Sequence, residues 1–276
     1  MLKTRVITVL VLLPLFLAAL FFLPLLGWAL LAVLIVLVAA GEWARLAQMH
    51  KAAELIFVIV VAAICSLLIP ALRILDNIPA GDLSLAIYAV SLAFWLVTAP
   101  LLLVYKWRLK KTLLALSGVL VLVTSWLALV QLREVSPKLV LWLLSVVWVA
   151  DTAAYFCGKK FGKRKLAPNI SPGKTLEGVY GAFIAVSVYA LAIIPLNGNY
   201  DVTGLGRAIP PYLLLAAHWI ITGLSIVGDL FESLLKRQAG VKDSGTILPG
   251  HGGVLDRIDG LISTLPVMAF FIFCSV

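Results

Sequence analysis

Nine apolar runs, each near the length a helix needs to cross a bilayer, leave this chain little to fold into except a membrane-embedded bundle. They cover residues 6–24, 26–44, 55–71, 84–104, 113–131, 138–157, 176–195, 211–230 and 258–276. About 20 mostly apolar residues carry a helix through the hydrocarbon core, where every backbone polar group must find its partner inside the protein. Composition agrees, with 63% of 276 residues hydrophobic and 13% charged, against about 45–50% and about 25% in soluble domains. The expectation is an all-α, polytopic integral membrane protein of about nine transmembrane helices. Disorder, collagen, coiled coil and disulfide scaffold are excluded. The start, Met1-Leu2-Lys3-Thr4-Arg5 before an apolar run, reads as a retained first span, because no small-x-small cleavage site with a polar sequel follows. A hinge around Pro24 and Gly27 divides it from the second span.

Charge orients the bundle. Nine spans place most of the 22 Lys and Arg on one side, including Lys3, Arg45, Lys110, Lys111, Lys159 to Lys165, Lys236 and Arg257. The other side receives only Arg73, Arg133, Lys138 and Arg207. Positive residues collect on the cytoplasmic side, so the N-terminus is expected there and the C-terminus opposite. The net charge of +9 sits in short connections, which suits anionic lipid headgroups and anionic substrates; no nucleic-acid partner is expected. Trp28, Trp43, Tyr105, Trp107 and Tyr212 fall near span ends and read as interface anchors. The three cysteines, Cys65, Cys157 and Cys274, form no metal-type pair and no disulfide framework.

The two halves differ in chemistry. Residues 1–135 read as lipid-embedded helices for packing or oligomer contact, with charges that only flank spans. Residues 136–276 read as the catalytic region, with exposed cytoplasmic stretches at 158–175 and 231–257. Asp151, Glu177, Asp229, Glu232, Asp243, Asp256 and Asp259 gather at the cytoplasmic ends of the last four spans. An acid at membrane depth costs a few kcal/mol and is normally paired, hydrated or functional. Asp229, Glu232, Ser233, Lys236 and Arg237 fall near one helical face, and Asp256 and Asp259 share a face if a helix begins near Val254.

Between them lies Pro249-Gly250-His251-Gly252-Gly253, a turn whose glycines admit close backbone approach and expose N–H groups to phosphate oxygens. Carboxylates from two helices beside such a turn and a row of cations suit a magnesium–phosphate site. The basic run Lys159, Lys160, Lys163, Arg164 and Lys165 precedes Ser171-Pro172-Gly173-Lys174-Thr175-Leu176-Glu177-Gly178. Gly173-Lys174-Thr175 is not a P-loop: the required glycine five residues earlier is Pro168, and no preceding strand is expected. Ser171-Pro172 reads as a turn before span seven, with Glu177 near its positive end. Asp151 and Tyr155, four apart, face the same polar interior. His50 and His218 read as structural.

The segment from Ser233 through Lys236-Arg237, Lys242-Asp243, Pro249-x-His251-Gly252-Gly253 and Asp256-Arg257-x-Asp259 closely resembles the signature of phosphatidate cytidylyltransferases. Asp151 to Tyr155, Gly158-Lys159, Gly162-Lys163 and Ser171 to Gly178 resemble that family's other cytoplasmic motif. The resemblance implies the reaction CTP + phosphatidic acid → CDP-diacylglycerol + pyrophosphate, in phospholipid biosynthesis, at the cytoplasmic face of a bacterial inner membrane. It also implies an all-helical homodimer among membrane lipids that depends on Mg²⁺, through one metal ion or two. Asp229 and Asp256 become the metal ligands, with Asp243 and Asp259 auxiliary. Lys174, Lys236, Arg237, Lys242 and Arg257 would neutralise phosphates, and Ser171, Thr175, His251, Gly252 and Gly253 would donate hydrogen bonds. Ser233, Asp151, Tyr155 and Glu177 would complete the substrate site. Two rival readings stay open: a secondary transporter of an anionic metabolite, and a related nucleotidyl- or phosphotransferase acting on an isoprenoid lipid.

Overall fold

The computed structural model describes residues 2–71, 81–201, 203–205, 209–247, 250 and 252–275. Eleven α-helices and one short hairpin make up the described chain. In order they are α1 (Leu2–Phe22), α2 (Leu25–Leu46), α3 (Lys51–Ala71), α4 (Asp82–Ala93), a π-helical turn over Phe94–Thr98, α5 (Ala99–Tyr105), α6 (Lys111–Val135) and α7 (Pro137–Phe161). Strands β1 (Lys165–Ala167) and β2 (Ser171–Thr175) come next, then α8 (Leu176–Tyr200), α9 (Pro211–Ala239), α10 (Leu255–Ile258) and α11 (Leu261–Cys274). Among the described residues each expected apolar run overlaps a helix, and the last, 258–276, crosses a break at Asp259 and Gly260 between α10 and α11. Among the described residues seven helices are long and apolar enough to cross a membrane, and two shorter apolar helices lie at Leu10–Phe22 and Leu261–Cys274.

Local chemistry sets the breaks. α1 and α2 part at Pro24, which caps α2 with extended backbone. The span 82–105 is one path with a π-helical turn inside it. Pro100 lacks an N–H and its ring crowds the carbonyl four residues back, and a widened turn relieves both problems. Ser136 caps α7 by accepting from Lys138 N at 3.2 Å, with Pro137 in the first helical position. Gly240, at φ +76°, ends α9 in the left-handed conformation.

Helix α6 is the buried centre of the bundle. Trp43 Nε1 donates to Leu114 O at 2.9 Å, Trp28 Nε1 to Leu129 O at 3.2 Å, and α6 returns Trp126 Nε1 to Ala29 O at 3.3 Å. Trp28 and Trp43 are therefore buried core residues, not interface anchors: their indoles seat α2 on α6. Tyr105, Trp107 and Tyr212 are exposed, as an interface position requires. Large apolar side chains such as Leu34, Ile56, Val104 and Ile184 face outward, which suits lipid surroundings.

The connections after α2 and α5 meet the C-terminal end of α9 at one end of the bundle. Arg108 donates to Gln238 O at 2.7 Å, Gln238 Nε2 to Trp107 O at 3.0 Å, and Lys111 Nζ to Gln48 O at 2.7 Å.

Two stretches depart from the sequence reading. Ser171-Pro172 is no turn: it opens β2, which pairs antiparallel with β1 through Lys165↔Thr175 and Ala167↔Ser171. The stretch 231–257 is not exposed throughout, because α9 runs on to Ala239 and buries Phe231 to Lys236.

Candidate active site

The hairpin exists because its ends are tied to the start of α8. Thr175 Oγ1 accepts from Gly178 N at 3.1 Å, capping that helix. Glu177 Oε2 accepts from Lys163 N at 3.0 Å and Arg164 N at 3.1 Å, and its Oε1 from Arg164 Nε at 3.1 Å. Leu176 N donates to Arg164 O at 2.9 Å. Arg237 closes the far end, with Nε on Ile170 O at 3.1 Å and a guanidinium N–H on Val241 O at 3.2 Å. Glu177 and Arg237 thus brace the loop and do not line the cavity it covers.

That cavity, about 500 Å³, lies between the hairpin, α7, α9 and the segment beginning at α10. α7 contributes Asp151, Tyr155 and Lys159; the hairpin contributes Ser171, Lys174 and Thr175; α9 contributes Asp229. Asp256, Arg257 and Asp259 close the remaining side. Four carboxylates from distant parts of the sequence therefore share one wall space with three cations.

Lys174 Nζ sits 2.5 Å from Asp229 Oδ2. Asp229 Oδ1 has a long contact from Ser233 Oγ at 3.4 Å. Asp151 and Asp259 line the same cavity as this pair. Asp259 Oδ1 accepts from Gly260 N at 2.8 Å.

Asp256 is held more tightly. Its Oδ2 accepts from Gly253 N at 2.8 Å and from Ser244 N and Oγ, both at 2.9 Å. Its Oδ1 meets Lys236 Nζ at 2.6 Å. Burial pushes the carboxyl up, but Lys236 and the backbone donors of Gly253 and Ser244 outweigh that, and it stays below its ordinary value. Lys236 lies behind the cavity, bridging Asp256 and the fully buried Glu232, 2.5 Å away. Gly252, at φ +84°, turns the chain where a side chain would also press on the Asp256 carboxylate. Lys242 and Asp243 are exposed and outside the lining. His251 lies outside the described residues.

Sequence reading passed over Glu42. This α2 residue is completely buried and accepts from Val254 N at 3.0 Å, Leu255 N at 2.7 Å and Ser244 Oγ at 3.1 Å. Its signal was present: an acid inside an otherwise apolar run. Arg45, three residues on, made it look like an ordinary span flank.

No cluster of three or more His, Cys, Asp or Glu at ligating distance occurs among the described residues. A two-carboxylate site remains compatible with the donors. Asp229 Oδ1 and Asp256 Oδ1 keep acceptor capacity, since a carboxylate oxygen offers about two lone-pair positions, and both residues line the cavity.

Comparison with known proteins places the chain in a family. The chain is 40% identical over 282 residues to the phosphatidate cytidylyltransferase of Pseudomonas aeruginosa, covering 100% of this chain and 98% of that one. It is 43% identical over 161 residues to the enzyme of that name from Thermotoga maritima, covering 57% and 58% of the two chains. Haemophilus influenzae has another of that name, 47% identical over 135 residues, covering 49% of this chain and 46% of the relative. Residues 3–275 match the cytidylyltransferase family, and the chain, an integral membrane protein by its long apolar helices, belongs to that family.

Proposed function

We propose that the protein transfers a cytidylyl group from CTP to phosphatidic acid, giving CDP-diacylglycerol and pyrophosphate. The observation that carries this reading is the convergence of Asp151, Asp229, Asp256 and Asp259 with Lys174 and Arg257 on one cavity, in a chain matched along its length by a relative named for that reaction. A phosphate oxygen of the lipid attacks the α-phosphorus of CTP; one P–O bond forms, one breaks, and pyrophosphate leaves with its electron pair. The lipid phosphate is already an oxyanion, so no activated serine or cysteine is required. The difficulty is to bring two polyanions into line, and fixed charges meet it by screening repulsion and stabilising the transition state.

Lys174 and Arg257 face the phosphates, while Ser171 and Thr175 stand on the hairpin as hydroxyl donors. Asp229 and Asp256 are the proposed holders of magnesium, which shares one or two carboxylates with substrate phosphates and water. When bound, the ion supplies positive charge to the phosphoryl oxygens. Asp151 and Asp259 line the same cavity and offer further oxygen acceptors beside them. Lys236, set between Glu232 and Asp256, holds Asp256 in place from behind.

The cavity is proposed to open on the cytoplasmic side of a bacterial inner membrane, and the assembly to be a homodimer. Support for the sidedness is the lopsided Lys and Arg distribution. The test uses purified protein in detergent micelles with labelled CTP and phosphatidic acid. Labelled CDP-diacylglycerol, dependent on magnesium, supports the proposal. Product from an isoprenoid phosphate alone, or activity only as transport in sealed vesicles, overturns it.

A further inference from the structure

Glu42 stands on α2, in the half of the chain that contributes no residue to the cavity lining. Its carboxylate is nevertheless occupied by the segment that carries Asp256. Oε1 accepts from Val254 N, and Oε2 from Leu255 N and Ser244 Oγ. Gly245 and Gly253 pass so close that a Cβ on either would collide with this carboxylate.

Val254 immediately precedes α10 and Leu255 opens it, and the first N–H groups of a helix have no carbonyl of their own helix to reach. Ser244 has a single hydroxyl proton but lies within reach of two carboxylates, Glu42 at 3.1 Å and Asp256 at 2.9 Å. Glu42 therefore grips the segment on one side and Asp256 on the other. A carboxylate out of water is tolerated only when hydrogen-bonded, and bonds to backbone N–H groups are stronger when the acceptor is charged.

We infer that Glu42 is a positioning residue: it holds Ser244, Val254 and Leu255 so that Asp256 and Arg257 present to the cavity. The chain's first half is thereby tied into the catalytic end. The kinetic part of this inference rests on the cytidylyl-transfer reading; the structural part does not.

Glu42→Gln keeps the size but replaces one acceptor oxygen with an amide that faces other donors. Gly245→Ala presses on Glu42 from the opposite side and leaves α2 unaltered. Both are made in the full chain, in detergent, and compared with wild type by hydrogen exchange with mass spectrometry and by initial rates against CTP. The expected result in both variants is at least fivefold faster exchange confined to peptides covering 243–258, with α2 and α6 unchanged, and a KM for CTP raised at least fivefold. Loss of folded protein alone would lower kcat and leave KM unmoved. Unchanged exchange over 243–258 in folded Glu42→Gln overturns the inference, as does faster exchange spread equally through α2 and α6. If wild type shows no cytidylyl transfer, the function proposal fails by itself and exchange alone decides the role of Glu42.

Discussion

Lys174 Nζ lies 2.5 Å from Asp229 Oδ2 and so joins the hairpin to α9 across the cavity. Neither side chain is fully buried, with 25% and 31% exposure, so the pair can reopen when a polyphosphate arrives. On the proposed function, Lys174 is the cation that exchanges a carboxylate for a phosphate. Lys174→Met is expected to reduce kcat/KM for CTP about tenfold or more, the scale of one charge-assisted hydrogen bond, chiefly through KM. Lys174→Arg should recover part of it. Initial rates across a CTP series check this, and an unchanged KM would remove Lys174 from nucleotide binding.

Lys236 has a different task. It is 11% exposed between Glu232, at 0%, and Asp256, at 6%. Removing the cation leaves two acids without their shared counter-charge, and breaking a buried pair from one side costs about 3–5 kcal/mol. Lys236→Met should therefore lower the thermal unfolding midpoint in detergent markedly. Adding Glu232→Gln should restore a large share of that loss. Equal midpoints for the single and double variants would show that Glu232 is not stabilised by Lys236.

Glu177 serves the hairpin. With three donors from Lys163 and Arg164 on one carboxylate, Glu177→Ala should release the stretch 163–174, which is rich in tryptic sites. Cleavage there by trypsin is expected to accelerate about tenfold, the scale of one lost charge-assisted bond. The remaining helices should keep their protection. Cleavage at the wild-type rate would show that the β1–β2 pairing holds without this anchor.

The long helices were legible because length and apolarity alone specify a span, and seven of the described helices are long and apolar enough to cross a membrane. The site was legible where acids and cations interrupt apolar sequence: Asp229, Asp256, Asp259, Asp151 and Lys174 do line one cavity. The hairpin was not. Its strands are three and five residues long, with Pro172 and Gly173 in place of an alternating pattern, and contacts to α8 and α9 hold it. Arg237 and Glu177 looked like substrate ligands because charge in a signature does not reveal whether a side chain faces a phosphate or a backbone carbonyl. Glu42 was hidden because its partners, Ser244, Val254 and Leu255, lie some two hundred residues along the chain.

The central claim is that Asp229 and Asp256, from separate helices, together seat a divalent cation between CTP and the lipid phosphate. Asp229→Asn and Asp256→Asn keep the shape and remove one charge each. CDP-diacylglycerol formation from labelled CTP and phosphatidic acid is measured for each at saturating magnesium, on protein whose elution and unfolding match wild type. The account predicts a fall of at least about a hundredfold in both, the scale of losing transition-state charge stabilisation. Turnover within tenfold of wild type in either well-folded variant would contradict it.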